Sequence, residues 1–281
     1  MSPFDAINHA FSVTATGGFS TRNMSIASFD STLIDVITIF FMLIASIHFG
    51  IIYMVFASRS LKPLNNPMLK FYVGTILVAA LLVSFSLKMS SSGFTWGESF
   101  MTGIFQVVSS ISTTGFAISD NNTWPLFACI ITVLITVPCG MAGSTTGGIK
   151  MDRMLLMFKS VGQQVKSSMH PSSINQVHIG NHMLGNNEIY PHVVFIGLYF
   201  ITIAASMALT ILSGMDVQNS LASSISCLSN VGPAMESAGT MGNYSGVPVL
   251  AKIVFIVDMF LGRVEIYPVL AVVTMAFSGR K

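Results

Sequence analysis

Charge is what this sequence has least of. Only 9% of its 281 residues are charged, against 52% hydrophobic, and its mean hydropathy is +0.72. A soluble domain carries about 25% charged residues, so the composition excludes a water-surrounded globule and predicts a polytopic membrane protein. Cysteine is scarce too. Cys129, Cys139 and Cys227 stand in apolar segments, with neither metal-ligand spacing nor a disulfide framework. The start, Met1-Ser-Pro-Phe-Asp5, has no basic stretch leading into an apolar core, so it does not read as a cleavable signal peptide. A net charge of +2 gives no signal for nucleic acid. His170, His178, His182 and His192 fit no metal motif. Gly143-x-x-x-x-Gly148 is not a phosphate-binding loop, because Ile149 intervenes before Lys150 and Met151 stands where Ser or Thr is needed. There is no phosphorylatable Asp-Lys-Thr-Gly motif either. The expectation is a protein that is not an enzyme and carries no covalently bound cofactor.

What is present is apolar runs long enough to span, for which roughly 20 residues are needed. They are Leu33–Ala57, Phe71–Leu87, Pro125–Val137 continuing past a break, Val193–Leu212 and Val247–Phe277. Between them lie shorter segments compatible with half-helices: Phe4 to Phe11, Trp96 to Val108 and Val217 to Leu228. Each runs into a small polar cluster: Thr14-Ala-Thr-Gly-Gly-Phe-Ser20, Ile111-Ser-Thr-Thr-Gly-Phe-Ala117 and Leu228-Ser-Asn-Val-Gly-Pro-Ala234. Aligning Gly18, Gly115 and Gly232 gives an internal repeat of span, half-helix, polar loop and span. Such repeats mark transporters rather than solenoids.

The units fall at 1–60 (a partial repeat), 61–165 (complete, with a broken second helix), 166–189 (a polar cytoplasmic connector) and 190–281 (complete). The first unit lacks a span before its loop, so a preceding helix is expected. Arg59, Lys62, Lys70, Lys150, Arg153, Lys159, Lys166, Arg280 and Lys281 outnumber Arg22, Lys88 and Lys252 on the other side. The richer side is cytoplasmic by the positive-inside rule. Asn121 is then accessible from outside and Ser172 from inside.

The clusters have the composition of a cation filter. Rings of backbone carbonyls replace an ion's water shell. Gly permits the φ/ψ this requires, and a half-helix ending at the cluster aims its partly negative C-terminus at a cation. No cluster carries a carboxylate, which argues against a divalent-cation filter. A re-entrant turn without an ion is the alternative for any one cluster.

A second feature is Pro138-Cys-Gly-Met-Ala-Gly-Ser-Thr-Thr-Gly-Gly-Ile-Lys150, which interrupts a membrane helix. Broken backbone at membrane depth survives only where protein or a wet path surrounds it. Gly143, Ser144, Thr145, Thr146, Gly147 and Gly148 therefore read as a constriction across a pore, with a small-residue packing patch as the alternative. Arg263 lies inside the last span, where a charge is costly and needs a partner. The favoured partner is the freed carbonyls of the 143–148 loop. The alternatives are an ion pair with Asp258 or Glu265, both poorly spaced on a helix, or an arginine that packs or snorkels.

In combination, Phe11-Ser-Val-Thr-Ala-Thr-Gly-Gly-Phe-Ser-Thr-Arg22, Ser112-Thr-Thr-Gly-Phe116, Trp124-Pro-Leu-Phe127, the 140–150 stretch, Ser229-Asn-Val-Gly-Pro233 and Phe260-Leu-Gly-Arg-Val-Glu265 resemble the TrkH-type membrane subunit of bacterial potassium uptake systems, in the Trk/Ktr/HKT superfamily. The resemblance implies an all-α polytopic fold. Its units of helix, pore helix, filter loop and helix surround a pseudo-fourfold pore, with about three of the four units in this chain and the first filter missing. It implies K⁺ as transported ion and as ligand of Thr16, Gly17, Gly18, Thr113, Thr114, Gly115, Asn230, Val231 and Gly232. Asn230 and Val231 make that filter lopsided, which implies weaker discrimination against Na⁺. It further implies the bacterial inner membrane, contact with membrane lipid, a homodimer, and a cytoplasmic nucleotide-binding partner of the TrkA type. It also brings Arg263 to the 143–148 loop. The resulting expectation is K⁺ uptake through a filter with an intramembrane gate. The alternatives are a Na⁺- or H⁺-coupled K⁺ symporter, the K⁺-translocating subunit of an ATPase complex, and a non-conducting scaffold.

Overall fold

The computed structural model describes residues 1–90, 93–170, 177–179, 182–235 and 238–278; Ser172, Arg280 and Lys281, used above for orientation, lie outside them. In chain order the helices are α1 (Pro3–Thr14), α2 (Thr32–Ser46), α3 (Phe49–Ser58), α4 (Pro67–Met89), α5 (Trp96–Ile111), α6 (Leu126–Ile135), α7 (Met151–Met169), α8 (Asn186–Leu212), α9 (Val217–Ser229), α10 (Val249–Val264) and α11 (Ile266–Phe277). The expected polar connector contains a small antiparallel hairpin, β1 (Val177–Ile179) with β2 (His182–Leu184), a departure from a purely helical chain.

The three half-helices form as α1, α5 and α9, and each has a side-chain cap at its start. Ser2 and Asp5 make a capping box on α1, Thr95 and Glu98 make one on α5, and Asp216 accepts from the Gln218 amide on α9. Caps of this kind satisfy amides that a helix start otherwise leaves unpaired. They matter most for short helices, whose own propagation is weak.

Among the described residues, α4 and most of α8 are long and apolar enough to cross a membrane unaided. The other expected spans are broken. Leu33–Ala57 is not one helix but α2 and α3, bent by 96°. Val247–Phe277 divides into α10 and α11 at Glu265, which has φ +67°. Pro125–Val137 yields only the ten-residue α6 before the expected interruption. The two unforeseen breaks are corrections, and each has a tertiary cause. At the first, the Ser46 carbonyl accepts from the Met141 amide at 3.0 Å and the Ala45 carbonyl from Thr145 Oγ1 at 3.1 Å. At the second, Glu265 pairs with Arg153 of α7 at 2.7 Å.

Two close helix approaches hold the half-helices in place. On α5, Gly103 packs against Ser84 of α4, and on α10, Gly262 packs against the Leu228 carbonyl near the end of α9. A side-chain carbon at either glycine would overlap those atoms. Gly262→Ala is therefore expected to lower the thermal unfolding temperature in detergent, with an overpacking cost of about 1–3 kcal/mol. An unchanged midpoint would mean α10 does not need this approach. The opposite face of α4 exposes Val73, Leu77, Leu81 and Phe85, four residues apart. That apolar stripe suits lipid rather than water. Asn121, expected to be accessible from outside, is instead buried. Its Nδ2 donates to the Ala234 carbonyl at 2.9 Å, and its Oδ1 accepts from the Thr240 amide at 2.9 Å.

Candidate ion-conducting site

The three glycine clusters adopt one backbone design. Two residues before the aligned glycine, Thr16, Thr113 and Asn230 have φ of +51°, +55° and +61°. The glycines Gly18, Gly115 and Gly232 have φ of +69°, +80° and +98°. The residues between them, Gly17, Thr114 and Val231, do not share this handedness. Alternating handedness turns successive carbonyls to the same side of the chain, where a regular strand would alternate them. The hydrogen bonds repeat as well. The amides of Thr16, Thr113 and Asn230 donate three residues back, to Val13, Ser110 and Cys227. The amides of Gly17, Thr114 and Val231 donate five back, to Ser12, Ser109 and Ser226.

The loops also meet one another. A side-chain carbon at Gly18 would overlap the Thr114 carbonyl oxygen, and one at Gly115 would overlap the Val231 carbonyl oxygen. Only glycine lets a neighbouring carbonyl come so close. Gly232 has open space around it instead, and its own carbonyl accepts from the Tyr244 hydroxyl at 2.8 Å. The three loops thus bring their carbonyls together where the C-termini of α1, α5 and α9 converge, an arrangement suited to a cation. At the far end of α1 a carboxylate is held ionised. The hydroxyls of Thr21 and Ser2, then Arg22, keep Asp5 well below the usual carboxylate range.

The 143–148 loop touches the helix-side end of all three clusters. Thr16 Oγ1 donates to the Thr145 carbonyl at 3.0 Å, and the Gly147 amide donates to Thr113 Oγ1 at 3.2 Å. Gly147 packs against Ser229 and Asn230. Within the loop, Gly143 is exposed, Ser144 and Thr145 are half-buried, and Thr146 to Gly148 are buried. Ser144 and Thr146 share a hydroxyl hydrogen bond at 2.7 Å. The loop also docks on the α2–α3 bend, where the Phe49 amide donates to the Gly143 carbonyl at 3.1 Å.

Among the described residues, two cations reach the loop. Arg263 Nη1 donates to the Thr145 carbonyl at 2.6 Å, and its Nη2 reaches the Ala15 carbonyl at 3.5 Å. Glu265, the alternative partner for Arg263, is engaged by Arg153 instead, and Asp258 accepts from Ser206 Oγ. Lys150 was counted above among the cytoplasmic charges. It is buried, and its Nζ donates to the Thr146 carbonyl. Sequence reasoning missed Lys150, the α2–α3 bend and the serines Ser12, Ser109 and Ser226. The serines did carry a signal, since each stands six residues before its glycine.

Known proteins resemble this chain along nearly its whole length. A family profile described as "TrkH: Cation transport protein" matches residues 1–73 and 68–278. The Trk system potassium uptake protein TrkH of Escherichia coli K12 is 32% identical over 282 residues, covering 99% of this chain and 57% of that protein. The Trk system potassium uptake protein TrkG of the same organism is 30% identical, covering 99% and 56%. The crystal structure of the potassium transporter TrkH from Vibrio parahaemolyticus superposes with a TM-score of 0.90 at 31% identity, covering 99% of this chain and 59% of that one. The chain thus spans just over half the length of these relatives.

Proposed function

Because the chain belongs to the TrkH family of cation transport proteins, we propose that its protein takes up K⁺ across the bacterial inner membrane. The path runs between the three glycine loops and past the 143–148 loop. Thr16, Gly17, Gly18, Thr113, Thr114, Gly115, Asn230, Val231 and Gly232 contribute to the filter, with the ion coordinated by backbone carbonyls. Gly143 to Gly148 and Arg263 form the gate. The observation that carries this reading is the threefold repetition of left-handed residue, ordinary residue and left-handed glycine at the ends of α1, α5 and α9. A re-entrant turn that held no ion would have no reason to repeat that pattern, nor to crowd carbonyls against glycines of the next loop.

The assembly is proposed as a homodimer in lipid, regulated by a cytoplasmic nucleotide-binding subunit of the TrkA type. The gene's complete product should restore growth of a potassium-uptake-deficient bacterium at low K⁺. No growth, with the protein present in the membrane, would contradict uptake. Growth that depends on an adjacent ATPase gene would favour the ATPase-subunit reading.

A further inference from the structure

Ser109 and Ser226 each hold a filter loop by both main chain and hydroxyl. The main-chain carbonyl of Ser109 accepts from the Thr114 amide at 3.0 Å and the Gly115 amide at 3.3 Å, and its Oγ donates to the Phe116 carbonyl at 2.6 Å. The Ser226 carbonyl likewise accepts from the Val231 amide at 3.0 Å, and its Oγ donates to the Pro233 carbonyl at 2.6 Å. Both serines are buried. One residue of the pore helix therefore fixes the peptide groups on both sides of the loop glycine. The hydroxyl also draws the carbonyl after that glycine back toward the helix, which ends the run of ion-facing carbonyls.

The first loop is held differently. Ser12 is equally placed and its carbonyl accepts from the Gly17 amide at 2.8 Å, but its buried Oγ has no partner among the described residues. Beyond Gly18 the chain is tied by His9 instead. His9 Nδ1 lies 2.6 Å from the Asp5 carbonyl and Nε2 lies 2.9 Å from Ser20 Oγ. A carbonyl only accepts, so Nδ1 carries the proton and the Ser20 hydroxyl donates to Nε2 in the neutral ring. The ring stacks on Phe116, with centroids 5.5 Å apart.

We propose that Ser109 and Ser226 are selectivity-determining positioning residues, whose hydroxyls set the carbonyl geometry of the second and third loops, and that the Ser12 hydroxyl has no such role. The proposal rests on the filter reading above. Without the hydroxyl, a buried carbonyl loses its partner and the peptide after the glycine is free to turn.

The test is the ratio of K⁺ to Na⁺ flux through the complete protein in proteoliposomes. Ser109→Ala and Ser226→Ala should each lower the ratio about fivefold or more, the scale of leaving one buried carbonyl unpaired. Ser226→Thr, which keeps the hydroxyl, should recover most of it, and Ser12→Ala should leave the ratio unaltered. Gly115→Ser serves as the control. If Gly115→Ser loses discrimination while both alanine variants keep it, the brace is overturned and the filter stands. If Gly115→Ser and Gly18→Ser also keep it, the filter reading itself has failed. An equal loss in Ser12→Ala would overturn the asymmetry and make all three serines general helix-packing residues. Should an alanine variant not fold, Ser109→Cys and Ser226→Cys keep the volume and only weaken the donor. A wild-type ratio in both would overturn the proposal as well.

Discussion

Gly115→Ser in the complete protein is expected to abolish most discrimination between K⁺ and Na⁺ while leaving the protein folded. The added carbon meets the Val231 carbonyl oxygen and the Pro233 ring of the next loop, and the residue has φ +80°. Backbone and proline cannot swing aside as a long side chain would, so both loops move. The left-handed conformation adds its own strain for an L side chain, of order 1–3 kcal/mol. Carbonyls displaced by a fraction of an ångström no longer match the shell that K⁺ loses. The selectivity ratio should fall about tenfold or more, since ~1.4 kcal/mol of relative ion affinity suffices for a factor of ten. Gly18→Ser should behave alike, because its added carbon meets the Thr114 carbonyl. Gly232→Ser should do less, since only its φ of +98° opposes the change and nothing lies within reach of the added carbon. Flux ratios in proteoliposomes check the order. Unchanged ratios for both Gly18→Ser and Gly115→Ser would remove the loops from the filter.

Opening of the path is expected when the Arg263 contact is lost. Arg263→Ala should raise K⁺ flux severalfold, and deletion of Ser144 to Thr146 should raise it further. The Thr145 carbonyl accepts from Arg263 and from Thr16 together, so one peptide group links α10, the loop and the first filter cluster. On the proposed path, Arg263 also sets a fixed positive charge beside the ion, a barrier that vanishes with the side chain. Lys150 holds the neighbouring Thr146 carbonyl, so the loop retains one cationic support after Arg263 is gone. Combining Arg263→Ala with the deletion should add little to the deletion alone, because residues sharing one network do not act independently. Additive increases would mean that Arg263 and the loop act separately. An unchanged flux in a stably folded deletion would reduce the loop to packing.

The half-helices were legible because their ends are chemically marked. Ser2, Thr95 and Asp216 start them, and a polar glycine cluster stops them. The 143–148 break was legible for the same reason, since glycines and hydroxyls replace apolar residues there. The α2–α3 bend was not. Ser46, His48 and Gly50 mark it locally, but α4 carries Gly74, Thr75 and Ser84 without breaking, so such residues alone do not announce a bend. The groups satisfying the broken backbone come from Met141 and Thr145, about a hundred residues away. Glu265 carries a left-handed backbone with no glycine to signal it, held by Arg153 from α7. Lys150 misled because counting basic residues assigns them to a side without asking what they bond. Its position two residues after Gly148 was the available clue, and positional charge alone could not separate a solvated lysine from one folded back on Thr146.

The most direct measurement is the site of the ion itself. Crystals of the complete protein grown with Rb⁺ or Tl⁺ in place of K⁺ would show the heavier ion by anomalous scattering. Peaks ringed by the carbonyls of residues 16–18, 113–115 and 230–232, on the filter side of Thr145, are the expected result. Strong peaks elsewhere in the membrane region, with none among these three loops, would contradict it.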